Sequence, residues 1–98
     1  MYYMLLGEDA PNMLQMRLKV RAEHLTRLQV LQQEGRLLLA GPNPETEDEQ
    51  HSGVTGSLIV AQFDSLAQAQ KWMQEDPYSL EGVFQKVTVK PFKKVFPS

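Results

Sequence analysis

With 98 residues, 42% of them hydrophobic and 22% charged, the chain has room for one modest core, so a single domain over residues 1–98 is expected. The formal net charge of −2 gives no general attraction for nucleic acid or an anionic membrane. The absence of cysteine excludes disulfides, thiol nucleophiles and cysteine zinc sites, and nothing asks for an oxidising compartment.

The opening run Met1-Tyr2-Tyr3-Met4-Leu5-Leu6 lacks a basic flank and meets Gly7-Glu8-Asp9 too early for a signal peptide or a spanning helix, so the cytoplasm is the expected location. Tyr2 to Leu6 instead suits a first strand. Asn12 followed by Gln15 resembles a capping box, which predicts a helix from there to Gly35, a suitable residue just past a helix end. At about 100° per residue, Leu14, Leu18, Leu25 and Leu28 fall on one stripe with Leu31 near its edge, and this is the expected buried face. Arg21 projects from the middle of that stripe and His24 from its border. A guanidinium there needs an anion or a wet pocket, unless its stem packs and its head reaches solvent. His24 has a plain reading too, as a border histidine bonded to a backbone carbonyl.

Arg36 to Pro42 reads as a second strand, closed by Gly41-Pro42. Pro44 to Gly56 is a loop whose acidic cluster is a solvated face, and His51 within it has no partner at metal-ligand spacing. With His24 and His51 far apart and no cysteine, a closed zinc site would need several carboxylates, so no metal is expected; no organic cofactor is expected either. Ser57 to Phe63 is the clearest strand. A second helix starts at Asp64-Ser65, with Ser65 and Gln68 set as a capping box, and buries Leu66, Ala69, Trp72 and Met73. It must stop at Asp76, because Pro77 pushes the residue before it toward extended backbone. A short turn can restart at Pro77 with Asp76 as its N-cap; the same carboxylate, with two oxygens, can also orient a histidine. Val83 to Val89 alternates as a final strand, and Pro91 to Phe96 follows as an extended tail. The basic residues from Lys90 to Lys94 sit on an acidic chain without a basic helix, which argues against nucleic-acid binding.

The order β-α-β-β-α-β fits an α+β, ferredoxin-like antiparallel sheet with two helices on one face. Leu37 to Ala40 and Leu58 to Ala61 are apolar at both parities, so both sheet faces need cover; two helices cover one, and the other is expected to meet a second subunit in a two-fold homodimer, with Phe92 and Phe96 of the tail across the partner.

Taken in order, Arg21-x-x-His24, Leu25 and Leu28, Gly35-Arg36-Leu37-Leu38-x-Ala40-Gly41-Pro42, Thr55-Gly56-Ser57, Asp76-Pro77-Tyr78, Gly82-Val83 and Val89-Lys90-Pro91-Phe92-Lys93 resemble the YciI family of small bacterial proteins over Tyr2 to Phe96. The resemblance implies a dimeric α/β barrel of ferredoxin-like subunits, related in architecture to muconolactone isomerases, with an active site on a histidine and an aspartate that map onto His24 and Asp76. Some members of the wider group are similar to dehydrochlorinases of hydroxylated chloroaromatics. On this reading Asp76 fixes the imidazole tautomer and leaves the other nitrogen free to move a proton, Arg21 holds a small anionic ligand, Ser57 donates a hydrogen bond to it and Tyr78 closes the pocket. The expected function is metal-free isomerase or lyase chemistry on a small anionic, aromatic-type substrate. The alternative is a ligand-binding or regulatory module that uses the same pocket without turnover.

Overall fold

Each stretch of alternating or β-branched residues finds its partners in one four-stranded sheet. The computed structural model describes residues 1–98, arranged as β1 (Tyr2–Asp9), α1 (Leu14–Gln33), β2 (Leu37–Pro44), β3 (Val54–Gln62), α2 (Leu66–Gln74), α3 (Pro77–Leu80) and β4 (Phe84–Phe92). The strand order is β2-β3-β1-β4 and every neighbouring pair is antiparallel. The expected ferredoxin-like order is therefore present, with the turn restarting at Pro77 as a third, single-turn helix.

The strands run further than local signals suggest, because pairing overrides them. β1 continues through Gly7 and Glu8, which pair with Ser57 and Gly56 on one side and with Val87 and Lys86 on the other. Gly7 is needed for packing: a Cβ there would lie 2.5 Å from the ring of Phe84. A Cβ on Gly56 would strike the Gly7 carbonyl, so these two neighbouring chains can approach only without side chains at that point.

Helix α1 departs most from expectation. Asn12 takes the left-handed conformation (φ 62°), the N-cap position falls to Met13, and no side chain caps the helix, so the Asn12–Gln15 box does not form. The other end follows the prediction. Gly35 has φ 72°, its N–H bonds Gln32 O, and the Arg36 N–H bonds Leu31 O, the paired bonds of a Schellman motif. The buried row is Arg17, Val20, His24 and Leu31, while Leu14 and Leu18 are 43% and 56% exposed. The helix is thus rolled by roughly a quarter turn from the all-leucine stripe, judged at about 100° per residue. His24 lies at the centre of the inward face, not at its border, and Arg21 is exposed rather than central.

The helices share a core with one face of the sheet, through Tyr3 and Leu5 of β1, Ile59 and Ala61 of β3, and Val20, Leu31, Ala69, Met73 and Tyr78 of the helices. Register assigns Tyr2, Met4 and Leu6 of β1, with Leu58 and Val60 of β3 and Leu39 of β2, to the opposite face. That side carries apolar residues, as both-parity apolarity in the sequence required, and none of them belongs to the helix-covered core.

The rolled helix makes a direct prediction. Leu31→Ala should cost about 2–5 kcal/mol of unfolding free energy in denaturant titrations, and Leu18→Ala no more than about 0.5 kcal/mol. The opposite ranking would restore the leucine stripe as the buried face.

Candidate functional site

The site starts from a helix that cannot continue. α2 ends at Gln74 and Asp76 takes extended backbone (φ −65°, ψ 139°) because Pro77 follows, with Pro77 at the first position of α3. The Asp76 carbonyl accepts the N–H groups of Ser79 (2.8 Å) and Leu80 (2.9 Å), as a residue at the N-cap should. Its side chain makes no capping bond. It turns instead to α1, where His24 Nδ1 lies 2.6 Å from Oδ1 and 2.7 Å from Oδ2. Of the two partners open to this carboxylate, the turn of α3 and a histidine, it bonds the histidine. Asp76 is 0% exposed and His24 6%, so the bond is made out of water.

Tyr78 secures the imidazole from the side. Its ring stacks on that of His24, with centroids 4.2 Å apart and planes at 22°, and its other contacts include the edge of Phe84. Burial pushes the Tyr78 phenol above the ordinary tyrosine range; Asp76 adds to the effect, against the guanidiniums of Arg17 and Arg21, which pull it down.

Two further arginines of α1 complete the charge arrangement, and neither was singled out from sequence. Arg17 is 6% exposed; its Nε donates to Asp9 Oδ2 (2.9 Å), and its Nη2 donates to Asp9 Oδ1 (3.4 Å) and to Ser57 Oγ (2.6 Å). Its guanidinium also lies 4.4 Å from the Tyr78 ring centroid. Arg27 is fastened to Trp72: its Nη2 donates to the Trp72 carbonyl at 2.8 Å and its Cζ lies 4.1 Å from the indole centroid. From there Nη1 comes within 3.8 Å of Asp76 Oδ2 without bonding it. Burial lowers the Arg27 pKa, with Asp76 and Glu75 opposing. Asp76, sealed from solvent, therefore has an imidazole in contact and a guanidinium close behind.

A cavity of about 230 Å³ opens on this group, between α1 and the β2–β3 edge. Arg17, Arg21, His24, Ser57 and Tyr78 supply its polar lining, and Leu25, Leu28, Ile59 and the stretch Ala40–Gly41–Pro42 its apolar walls. Larger hollows, of about 420 Å³ between α2 and β4 and about 370 Å³ beside Trp72, contain neither His24 nor Asp76. His24 Nε2 bonds no protein group, yet the only side-chain polar atoms both sealed and unpartnered are Arg27 Nη1 and Ser79 Oγ. Nε2 is thus not sealed, and His24 is one of the residues that line the cavity. All five residues singled out from sequence gather here: His24, Arg21, Ser57 and Tyr78 line the space, and Asp76 stands behind His24. His51 is elsewhere, exposed and bonded to Asp48. No three His, Asp or Glu side chains come together as a metal-binding set.

Arg17 was hidden by an apolar-only reading of α1. It shares one helical row with Val20, His24 and Leu31, and a reading that admits polar residues into that row when a carboxylate waits at a strand end would have paired it with Asp9.

Comparison with known proteins gives a consistent picture. The sequence model of the YCII-related domain matches residues 1–93. The chain is 54% identical to a protein of Haemophilus influenzae and 50% identical to Protein YciI of Escherichia coli, each over 98% of this chain and 100% of the relative. Among solved structures it is similar to 5-chloro-2-hydroxyhydroquinone dehydrochlorinase (TftG) from Burkholderia phenoliruptrix in complex with 2,5-dihydroxybenzoquinone, with a TM-score of 0.82 and 25% identity over 95% of this chain and 94% of that one.

The Tyr78 environment carries a pH signature. A group whose folded pKa is raised contributes stability that is complete below its unfolded value and lost as pH rises through the folded one, so the window opens near pH 10. Denaturant midpoints followed from about pH 8 to about pH 11 should fall more steeply for the wild-type chain than for Tyr78→Phe. Parallel curves would remove the phenol from that role.

Proposed function

The chain belongs to the YciI family, and on that premise we propose that it is an enzyme in which His24, oriented by Asp76, moves a proton on a small anionic substrate of the hydroxylated-ring type. The observation that carries the reading is the double contact of His24 Nδ1 with the Asp76 carboxylate, at 2.6 and 2.7 Å, while Nε2 is not sealed and His24 lines a cavity. In the neutral imidazole, Nδ1–H is donated to Asp76, so the lone pair sits on Nε2. Nε2 takes a proton from the substrate, and the imidazolium formed is met by a carboxylate already in place. Returned to a different atom, that proton completes an isomerisation. Where the electron pair it leaves behind expels a group such as chloride, the result is an elimination. The similarity to TftG, a dehydrochlorinase captured with a dihydroxyquinone, supports a flat hydroxylated ring as the substrate class. Arg21, exposed at the cavity rim, supplies attraction for the anion, and Tyr78 forms a wall.

No helix is long and apolar enough to cross a membrane. With no cysteine to tie the chain to an oxidising compartment, the proposal places it in the cytoplasm. A second copy is proposed to cover the helix-free sheet face, which presents Tyr2, Met4, Leu6, Leu39 and Leu58 around an already buried Val60; sheet-to-sheet packing about a two-fold axis is the arrangement that buries one such patch against itself. Light scattering at micromolar concentration should return twice the chain mass of 11.2 kDa. A stable monomer would leave that face without a cover and refute the dimer.

The catalytic reading is tested by His24→Asn. Ligand affinity should stay within a few-fold, whereas turnover, or exchange of solvent deuterium into a panel of small hydroxylated rings followed by NMR, should drop by at least about 100-fold. If the unmodified protein consumes and exchanges none of them, and His24→Asn only weakens binding, the pocket belongs to a ligand-binding module and the enzyme reading is wrong.

A further inference from the structure

Proton transfer by His24 leaves Arg17 unexplained. A guanidinium as buried as this one needs a counter-charge, and Asp9 supplies it. The pair would be complete there, yet Arg17 Nη2 also reaches across to β3 and donates to Ser57 Oγ at 2.6 Å. That bond dictates what Ser57 can do. Its oxygen is engaged as an acceptor from a cation, so the hydroxyl's own proton is the part left to give, and the charge polarises it toward donation. Arg17 Nη1 is in a similar position. It takes no part in the bonds to Asp9 and Ser57 and is not among the sealed, unpartnered atoms; the one further protein group that Arg17 hydrogen-bonds is the Tyr78 phenol, a wall of the same cavity. Both residues line the same cavity as His24.

We infer that Arg17 Nη1–H and Ser57 O–H form a donor pair for an oxyanion on the substrate, with Asp9 as the residue that positions the guanidinium, and that the substrate class is accordingly a carbonyl compound or hydroxyquinone that passes through an enolate. The inference rests on His24 as the proton-moving group. Nε2 removes a proton from the carbon or hydroxyl conjugated to the carbonyl; the electron pair left behind shifts through the conjugated bonds onto the carbonyl oxygen; that oxygen, now negative, is held by the two donors. The proton then returns to another atom of the conjugated system as the oxygen reverts to carbonyl, so nothing is gained or lost. Donors fixed before the charge develops stabilise it without reorganising, and a pair set in a buried ion network meets that condition. Arg21, exposed at the rim, attracts an anion but is not held in one geometry by any bonded partner.

The full-length chain should be titrated with 2,5-dihydroxybenzoquinone and with its dimethyl ether, which cannot become an oxyanion, reading the two affinities by absorbance or calorimetry. Wild type should favour the acidic quinone by more than about tenfold, and Ser57→Ala and Arg17→Lys should each cut that preference by about tenfold, whereas a change that only loosened the fold would weaken both ligands alike. Asp9→Asn should lower it to a lesser degree. Ser57→Ala, nearly isosteric, keeps the test decisive where Arg17→Lys does not fold. A wild-type chain without the preference, or variants that keep it, overturns the donor pair; the proton-transfer reading then still stands if His24→Asn abolishes deuterium exchange. Loss of the preference in Ser57→Ala together with undiminished exchange in His24→Asn supports the donor pair and fails His24 instead.

Discussion

The carboxylate of Asp76 has no contact with solvent, and much of the fold can be traced to satisfying it. A charge withdrawn from water needs partners inside the protein, and the penalty of leaving it alone is several kcal/mol. Pro77 holds Asp76 at the end of α2, where its backbone serves α3 and its side chain is left to look for another partner. That partner is His24, so α1 must present a polar residue inward. Leu14 and Leu18 are turned out as a consequence, although their hydrophobicity alone favours burial.

Once α1 is rolled to face Asp76, the same row brings Arg17 inward two turns earlier, against Asp9 and Ser57. Tyr78 packs on both, stacked on the imidazole and lying beneath the guanidinium. Pairs of this kind add little net stability compared with well-packed apolar residues, because their desolvation offsets most of their attraction. Their effect is to define geometry: each polar side chain has one arrangement in which its hydrogen bonds are made. Arg27 shows the same economy, since Trp72 holds it 3.8 Å from Asp76 and leaves both carboxylate oxygens to His24.

The strand and helix order, the Ser65 cap of α2, the stop at Asp76 and the glycine after α1 were legible because each depends on residues close in sequence. The inward face of α1 was not, since His24 is buried through a partner 52 positions away, and Arg17 through Asp9 on the preceding strand and Ser57 40 positions away, none of which periodicity in apolar residues reports. His24 and Asp76 entered as a pair only through family resemblance; spacing alone left each with a plain structural role. Asn12 misled because its capping signal competes with its tolerance of left-handed backbone, and the second tendency prevails there. Gly7 read as a strand end, but pairing on both sides keeps it in the sheet beneath Phe84.

β3 ties the site to the open side of the sheet. Ser57 and Ile59 face the cavity while Leu58 and Val60 face the side without helices, so each residue of this strand serves one side and its neighbour the other. A slip of one residue would send Ser57 to the apolar face and put a leucine in front of Arg17. Register is pinned beside Ser57 itself, where Gly56 comes so near the Gly7 carbonyl that no side chain fits between them. The same close approach sets Ser57 opposite Gly7, one residue along from Glu8 and two from Asp9. The chain that delivers the hydroxyl and the chain that delivers the arginine's counter-charge are thereby fixed in one step, and Arg17 spans them.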